Sequence, residues 1–106
     1  MEITWVGHSC FRLKATNFTI ITDPFPPTIG IPVGDLEASL ITVSNSHPNH
    51  NNRADLNGSP IILDGPGEYE VSKIYIKGIQ TNRVGDPNTA FLIDIDGLTV
   101  CHLGDL

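Results

Sequence analysis

The sequence predicts a mainly β fold with little helix, arranged as antiparallel sheets. Three observations carry this. Apolar and polar residues alternate at period two in several stretches, and no apolar stripe at helical spacing exceeds two turns. Ten glycines and eight prolines punctuate those stretches, many of them where a strand would have to turn. The apolar share, 40%, is high enough for a packed core and too high for a disordered chain. At 106 residues the chain is expected to form one small domain, residues 1–106, whose limited core gives a partner room to matter.

The elements follow in order. Glu2-Ile3-Thr4-Trp5-Val6 alternates, Gly7-His8 marks a tight connection, and Cys10-Phe11-Arg12-Leu13-Lys14 alternates again. Asn17 to Thr22, rich in Thr, Ile and Phe, completes an antiparallel meander. Asp23-Pro24-Phe25-Pro26-Pro27 ends it, because prolines lack a backbone donor; a surface loop is expected through Gly34, then a brief helical turn over Leu36 to Leu40. Leu40-Ile41-Thr42-Val43-Ser44 is nearly continuous in apolar character, as a buried interior strand should be. Asn45 to Asn52 is a polar loop, Pro60 to Leu63 a short strand, and Asp64-Gly65-Pro66-Gly67 a turn. Lys73 to Lys77 alternates, Thr81 to Asn88 reads as a second polar loop, and Ala90–Ile95 and Leu98–Cys101 flank Asp96-Gly97, a strong hairpin signal.

Charge and cysteine content narrow the function classes. Six basic against twelve acidic residues give a net charge of −6, which opposes nucleic-acid or anionic-membrane binding. No apolar run approaches the roughly 18–20 residues of a membrane span. The first residues lack the basic-then-apolar pattern of a signal peptide, so a cytoplasmic protein is expected, with Cys10 and Cys101 as buried, reduced thiols.

Three polar clusters stand at predicted strand ends: Asn45-Ser46-His47-Pro48-Asn49-His50, Gln80-Thr81-Asn82-Arg83 and His102-Leu103-Gly104-Asp105. Loops held by a rigid sheet are where site groups collect. The spacing of His47 and His50 lets both imidazoles converge, and with a carboxylate such as Asp105 they would form a partial zinc or iron site. The competing reading is a polar loop with solvated histidines. His8 reads as a turn histidine, Asp23 as a turn residue accepting local backbone bonds, and Asp64 to Glu70 as a turn with a solvated acidic face. No nucleophile elbow, phosphate-cradling glycine loop or Cys-x-x-Cys element is present.

Taken in order, Ile3-Thr4-Trp5-Val6-Gly7-His8-Ser9-Cys10-Phe11-Arg12, Ile21-Thr22-Asp23-Pro24, the 45–50 loop and Cys101-His102-Leu103-Gly104-Asp105 resemble the metallo-β-lactamase-fold hydrolases, in particular their lactonase-like branch of zinc-dependent hydrolases. The resemblance implies the first half of an αβ/βα sandwich. It also implies a loop of the form His-x-His-x-Asp-His, for which this chain has Asn45-x-His47-x-Asn49-His50. Arg83 stands where a further histidine is common in similar proteins, and Gly104-Asp105 matches a motif whose aspartate bridges two metals. The resemblance thus carries over His47, His50 and Asp105 as candidate metal ligands, with Asn45, Asn49 and Arg83 at altered positions. A guanidinium stays cationic and offers a metal no lone pair, although Arg83 could pair with Asp105 instead.

The expectation is therefore a degraded metal site holding no metal or a weakly bound divalent ion, zinc foremost, in a non-catalytic structural or binding module. The alternative is a zinc-dependent hydrolase of an ester, lactone or phosphodiester whose site is completed in trans, His8 or His102 being possible extra ligands. A half-length fold would leave one apolar sheet face without a partner layer, so a homodimer is expected to cover it, with no nucleic-acid or membrane partner.

Overall fold

The computed structural model describes residues 1–26, 38–51, 60–83 and 86–105, with residues 82, 83 and 86 described by backbone alone. Among the described residues nine strands form two sheets: β1 (Glu2–Gly7), β2 (Cys10–Lys14), β3 (Thr19–Thr22), β4 (Leu40–Thr42) and β5 (Ile61–Leu63) in one, and β6 (Gly67–Val71), β7 (Ile74–Arg83), β8 (Asp86–Ile95) and β9 (Leu98–His102) in the other. The described residues contain no helix. The expected mainly β class is thus what the chain adopts.

In sheet 1, β1, β2 and β3 form the expected antiparallel meander, whereas β3, β4 and β5 pair in parallel. β4 is an interior strand and wholly buried, which explains its unbroken apolar run. Sheet 2 is an antiparallel meander. Asp96 and Gly97 both take left-handed backbone angles (φ 53° and 77°), the two-residue turn that their sequence announced.

Directly paired residues share a sheet face, so Leu13, Ile20 and Leu40 line one side of sheet 1. They pack against Ile74, Ile76, Phe91, Ile93 and Ile95 of sheet 2 in one buried cluster. A smaller cluster of Cys10, Ile21 and Phe25 lies apart from it. The chain therefore supplies both layers of its own core, and the missing layer that motivated a homodimer is not missing.

Several local expectations need correction. The segment after β3 starts buried, not at the surface: Asp23 is fully buried and Phe25 is 1% exposed. Residues 27–37 lie outside the described residues; of the helical turn expected over 36–40, residues 38 and 39 are irregular and Leu40 begins β4. Gly67–Val71 is a strand and not the end of a turn. Its hairpin partner follows Ser72 and Lys73, both left-handed (φ 50° and 65°) without the usual glycine or asparagine. The loop expected over Thr81 to Asn88 is strand at 81–83 and 86–88, because β7 and β8 stay in register out to Arg83 opposite Asp86; residues 84 and 85 lie outside the described residues. Cys101 is exposed, and both cysteines are free.

Candidate functional site

The candidate residues gather where the parallel strands end. Asp23 follows β3, Ser44 to His50 follow β4, and the carboxyl ends of parallel strands are where such sheets form binding crevices. The parallel ladder carries on past the strands, with Asp23 N–H donating to Thr42 O (2.8 Å) and Val43 N–H to Leu63 O (2.9 Å). At Asp23 the backbone turns left-handed (φ 41°), a conformation that asparagine and aspartate tolerate best after glycine.

Asp23 is the hub of the site. Its Oδ1 accepts the Ser44 N–H at 2.7 Å, and its Oδ2 accepts the Ser44 hydroxyl at 2.5 Å and lies 2.7 Å from His50 Nδ1. His50 is 3% exposed. A carboxylate on Nδ1 fixes the ring orientation and places the lone pair of the neutral ring on Nε2. The His8 ring packs against His50, centroids 4.9 Å apart, and the His47 ring lies at 6.2 Å. His8 sits left-handed (φ 51°) in the β1–β2 turn, and its carbonyl accepts the Trp5 indole N–H at 3.0 Å. The Asp23 charge also reaches Cys10: burial first, and that charge second, push the thiol up to about 12.

His47 is differently placed. Its Nδ1 accepts the Asn49 N–H at 3.1 Å, so the neutral ring carries its proton on Nε2 and presents a donor there. Asn45 is engaged in the loop's own bonds, its Oδ1 accepting from His47 N–H (3.0 Å) and its Nδ2 donating to the Ser44 hydroxyl (3.1 Å). Among the described residues no group of three His, Cys, Asp or Glu is placed to hold a metal ion. Of the two histidines in the 45–50 loop, His50 is thus the one whose Nε2 lone pair is set as a metal ligand's would be. With Asp105 it falls short of the three protein ligands of a catalytic zinc, so these residues do not fit a self-contained metal centre.

The other candidates divide. Gly104 brings the Asp105 turn against the site: a Cβ at Gly104 would stand 2.4 Å from Ser44 Cβ. His102 lies between the sheets, its Nε2 2.8 Å from Ser9 O and its Nδ1 buried without a partner. Arg83 closes β7 opposite Asp86 by backbone, and the alternative role offered for it, pairing with Asp105, lies outside the described side chains. Asp23 and Ser44 were the residues that sequence reasoning undervalued. The available signal was an aspartate held by proline at the end of an apolar strand, in Thr22-Asp23-Pro24.

A cleft of about 330 Å³ opens beside the 44–46 loop, lined among others by Ser44, Asn45, Ser46, Asn51, Asp64 and Gln80. A larger one, about 600 Å³, lies on sheet 2 over Tyr69, Tyr75 and Lys77, and none of the candidate residues lines it.

A two-sheet fold with histidines and an aspartate at its strand ends defines a class, and comparison with known proteins agrees. Residues 2–106 match the β-lactamase superfamily domain, and the chain belongs to that family. A UPF0173 metal-dependent hydrolase of Methanoculleus marisnigri is 25% identical over 134 residues, covering 99% of this chain and 58% of that protein. Another from Methanopyrus kandleri is 25% identical, covering 97% and 46%. A crystal structure from Thermotoga maritima, of a candidate zinc-dependent hydrolase of the metallo-β-lactamase superfamily, superposes with a TM-score of 0.81 at 41% identity, covering 98% of this chain and 49% of that one. The chain spans about half the length of the relatives it matches.

Proposed function

We propose that these 106 residues form a non-catalytic structural or binding module on the hydrolase fold, with a metal site that has lost its function. The observation that supports this is the state of the 45–50 loop. His47 turns its Nδ1 to Asn49, and Asn45 serves the loop itself, which leaves one oriented imidazole. Elemental analysis of protein purified without chelator should find well under one metal ion per chain, with any divalent ion removed by a desalting step. One or two retained zinc ions per chain would overturn the reading.

Association of two copies belongs to the proposal, for a reason other than the one the sequence suggested. Among the described residues, strands β1 and β9 are each one edge of their sheet, and they lie together, because Met1 N is 2.9 Å from Asp96 and His102 Nε2 is 2.8 Å from Ser9 O. Ile3, Trp5 and Leu98 on these edges are each more than half exposed. Apolar side chains left at a free edge favour pairing with another chain. Light scattering at micromolar concentration should give twice the chain mass, and a monomer would remove this part of the proposal.

One observation favours a second reading, a hydrolase whose centre is completed by another chain: the buried Asp23–His50 pair is intact although the loop beside it is altered. In that case, ester or phosphodiester hydrolysis in the presence of zinc or manganese should appear when the completing chain is added and vanish with His50→Ala.

A further inference from the structure

We propose that Asn88 is a positioning residue of the candidate site, fixing the turn that carries Asp105 against the Asp23–His50 pair. The inference rests on the proposal above of a lost metal site, with His50 and Asp105 as its remaining candidate ligands and Asp23 orienting His50. Asn88 lies on β8, is 1% exposed and uses both ends of its amide. Its Nδ2 donates to Leu103 O and to Thr81 Oγ1, each at 2.9 Å, and its Oδ1 accepts the Asp105 N–H at 3.0 Å. The turn after β9 is thus held from both sides by one side chain. Asparagine suits this task because it offers two hydrogens and an acceptor on one short stem. Aspartate would lose the donors, and glutamine would reach one carbon too far.

The clamp has a direction. Gly104 takes a left-handed angle (φ 67°) and is pressed between Ser44 and Asn88: a Cβ there would meet Ser44 Oγ at 2.6 Å and Asn88 Oδ1 at 2.7 Å. Ser44 Oγ donates to Asp23 Oδ2, which lies 2.7 Å from His50 Nδ1. The next residue on β8 supplies a second tie, since Thr89 N–H donates to Ser44 O at 2.8 Å. Two consecutive residues of one strand therefore hold both parts of the site, Asn88 the Asp105 turn and Thr89 the Ser44 loop. Sheet 2 sets the position of Asp105 relative to a pair built on sheet 1.

The test uses the full chain and NMR. Asn88→Ala should speed amide exchange at Asp105 by roughly tenfold or more beyond any change at core amides such as Ile93, since a local bond is lost. It should also move the His50 ring nitrogen shifts. A reference variant, Ile93→Val, should change all amides together and leave His50 unmoved. Asn88→Asp keeps the acceptor for Asp105 N–H but sets an oxygen against Leu103 O, so it should protect Asp105 less than the native amide does; Thr81→Val, which removes one partner of the amide, should also speed Asp105 exchange beyond the core and decides the matter if the Asn88 variants do not fold. Exchange at Asp105 that rises only in step with the core would overturn the proposal. Failure of the one-site reading shows differently: Asp105→Asn would then leave the His50 ring shifts unchanged, while the Asn88 effect on Asp105 exchange persists.

Discussion

Replacing Asp23 by asparagine keeps the shape of the hub and removes its charge. In the native chain the carboxylate receives three donors, Ser44 N–H, the Ser44 hydroxyl and His50 Nδ1, all within 2.7 Å and all buried. An amide has one acceptor oxygen, so whichever way the new side chain turned, its NH₂ would face at least one of these donors. Two contributions follow. Hydrogen bonds to a charged group contribute about 1.5–3 kcal/mol each, and an unsatisfied buried donor costs about 1–3 kcal/mol. The Ser44 hydroxyl can rotate to accept instead, which recovers part of the loss. A net destabilisation of about 3–4 kcal/mol is expected, near the upper end for single substitutions. Urea unfolding followed by the single tryptophan, Trp5, gives the free energy, and ring nitrogen shifts give the His50 tautomer. The native ring should carry its proton on Nδ1, and the variant should populate the other tautomer. A loss below about 1 kcal/mol with an unchanged tautomer would refute the reasoning, since an orienting carboxylate cannot be removed so cheaply.

Three further outcomes are expected. Gly104→Ala should destabilise by about 2–4 kcal/mol in the same urea assay, because a left-handed backbone and a Cβ 2.4 Å from Ser44 Cβ act together; a loss under about 0.5 kcal/mol would show that the turn moves freely. Thr42→Val should be neutral or stabilise by about 1 kcal/mol, since the Thr42 hydroxyl is buried without a partner and valine has the same shape; a marked loss would mean that the hydroxyl is bonded. Cys10, with its folded value raised from 9.0 to about 12, keeps its proton in the folded chain and loses it more readily when unfolded. Its contribution is therefore complete below pH 9 and falls as pH rises toward 12, with a slope of up to about 1.4 kcal/mol per pH unit. Cys10→Ala should flatten that decline, and in the native chain a thiol reagent should label Cys101 and spare Cys10.

How much of this was legible in the sequence depends on where the signal was written. Alternation found β1, β2 and β7, and Asp96-Gly97 found the last hairpin, because period and turn chemistry are local. β6 was missed because its turn, Ser72-Lys73, adopts left-handed angles without the residues that usually mark them. The end of β7 and the start of β8 read as a loop since Thr81, Asn82 and Asn88 are polar; Asn88 and its neighbour Thr89 are nonetheless buried by the Ser44 loop and the Asp105 turn, which no local pattern reveals. The site divides along the same line. His50 was visible from its spacing, but its partner, Asp23, lies 27 residues earlier and meets it only through the parallel pairing of β3 with β4. His47 was visible too, yet its ring orientation depends on the Asn49 backbone, which residue type does not specify.

The parallel core of sheet 1 has one more consequence, and it concerns time. Every strand of sheet 2 pairs with its neighbour in sequence across a short connection, whereas the parallel β3–β4 and β4–β5 pairings join residues about twenty apart. Local pairings close quickly and distant ones slowly. The meanders from Glu2 to Thr22 and from Gly67 to His102 are therefore expected to form early and to serve as the template on which β4 and β5 assemble, with the Thr89–Ser44 bond closing late. Asp23 and His50 then meet only at the last stage, so this buried pair is a late arrival. In pulse-labelling exchange, the amides of β8 should gain protection before those of Asp23 and Ser44.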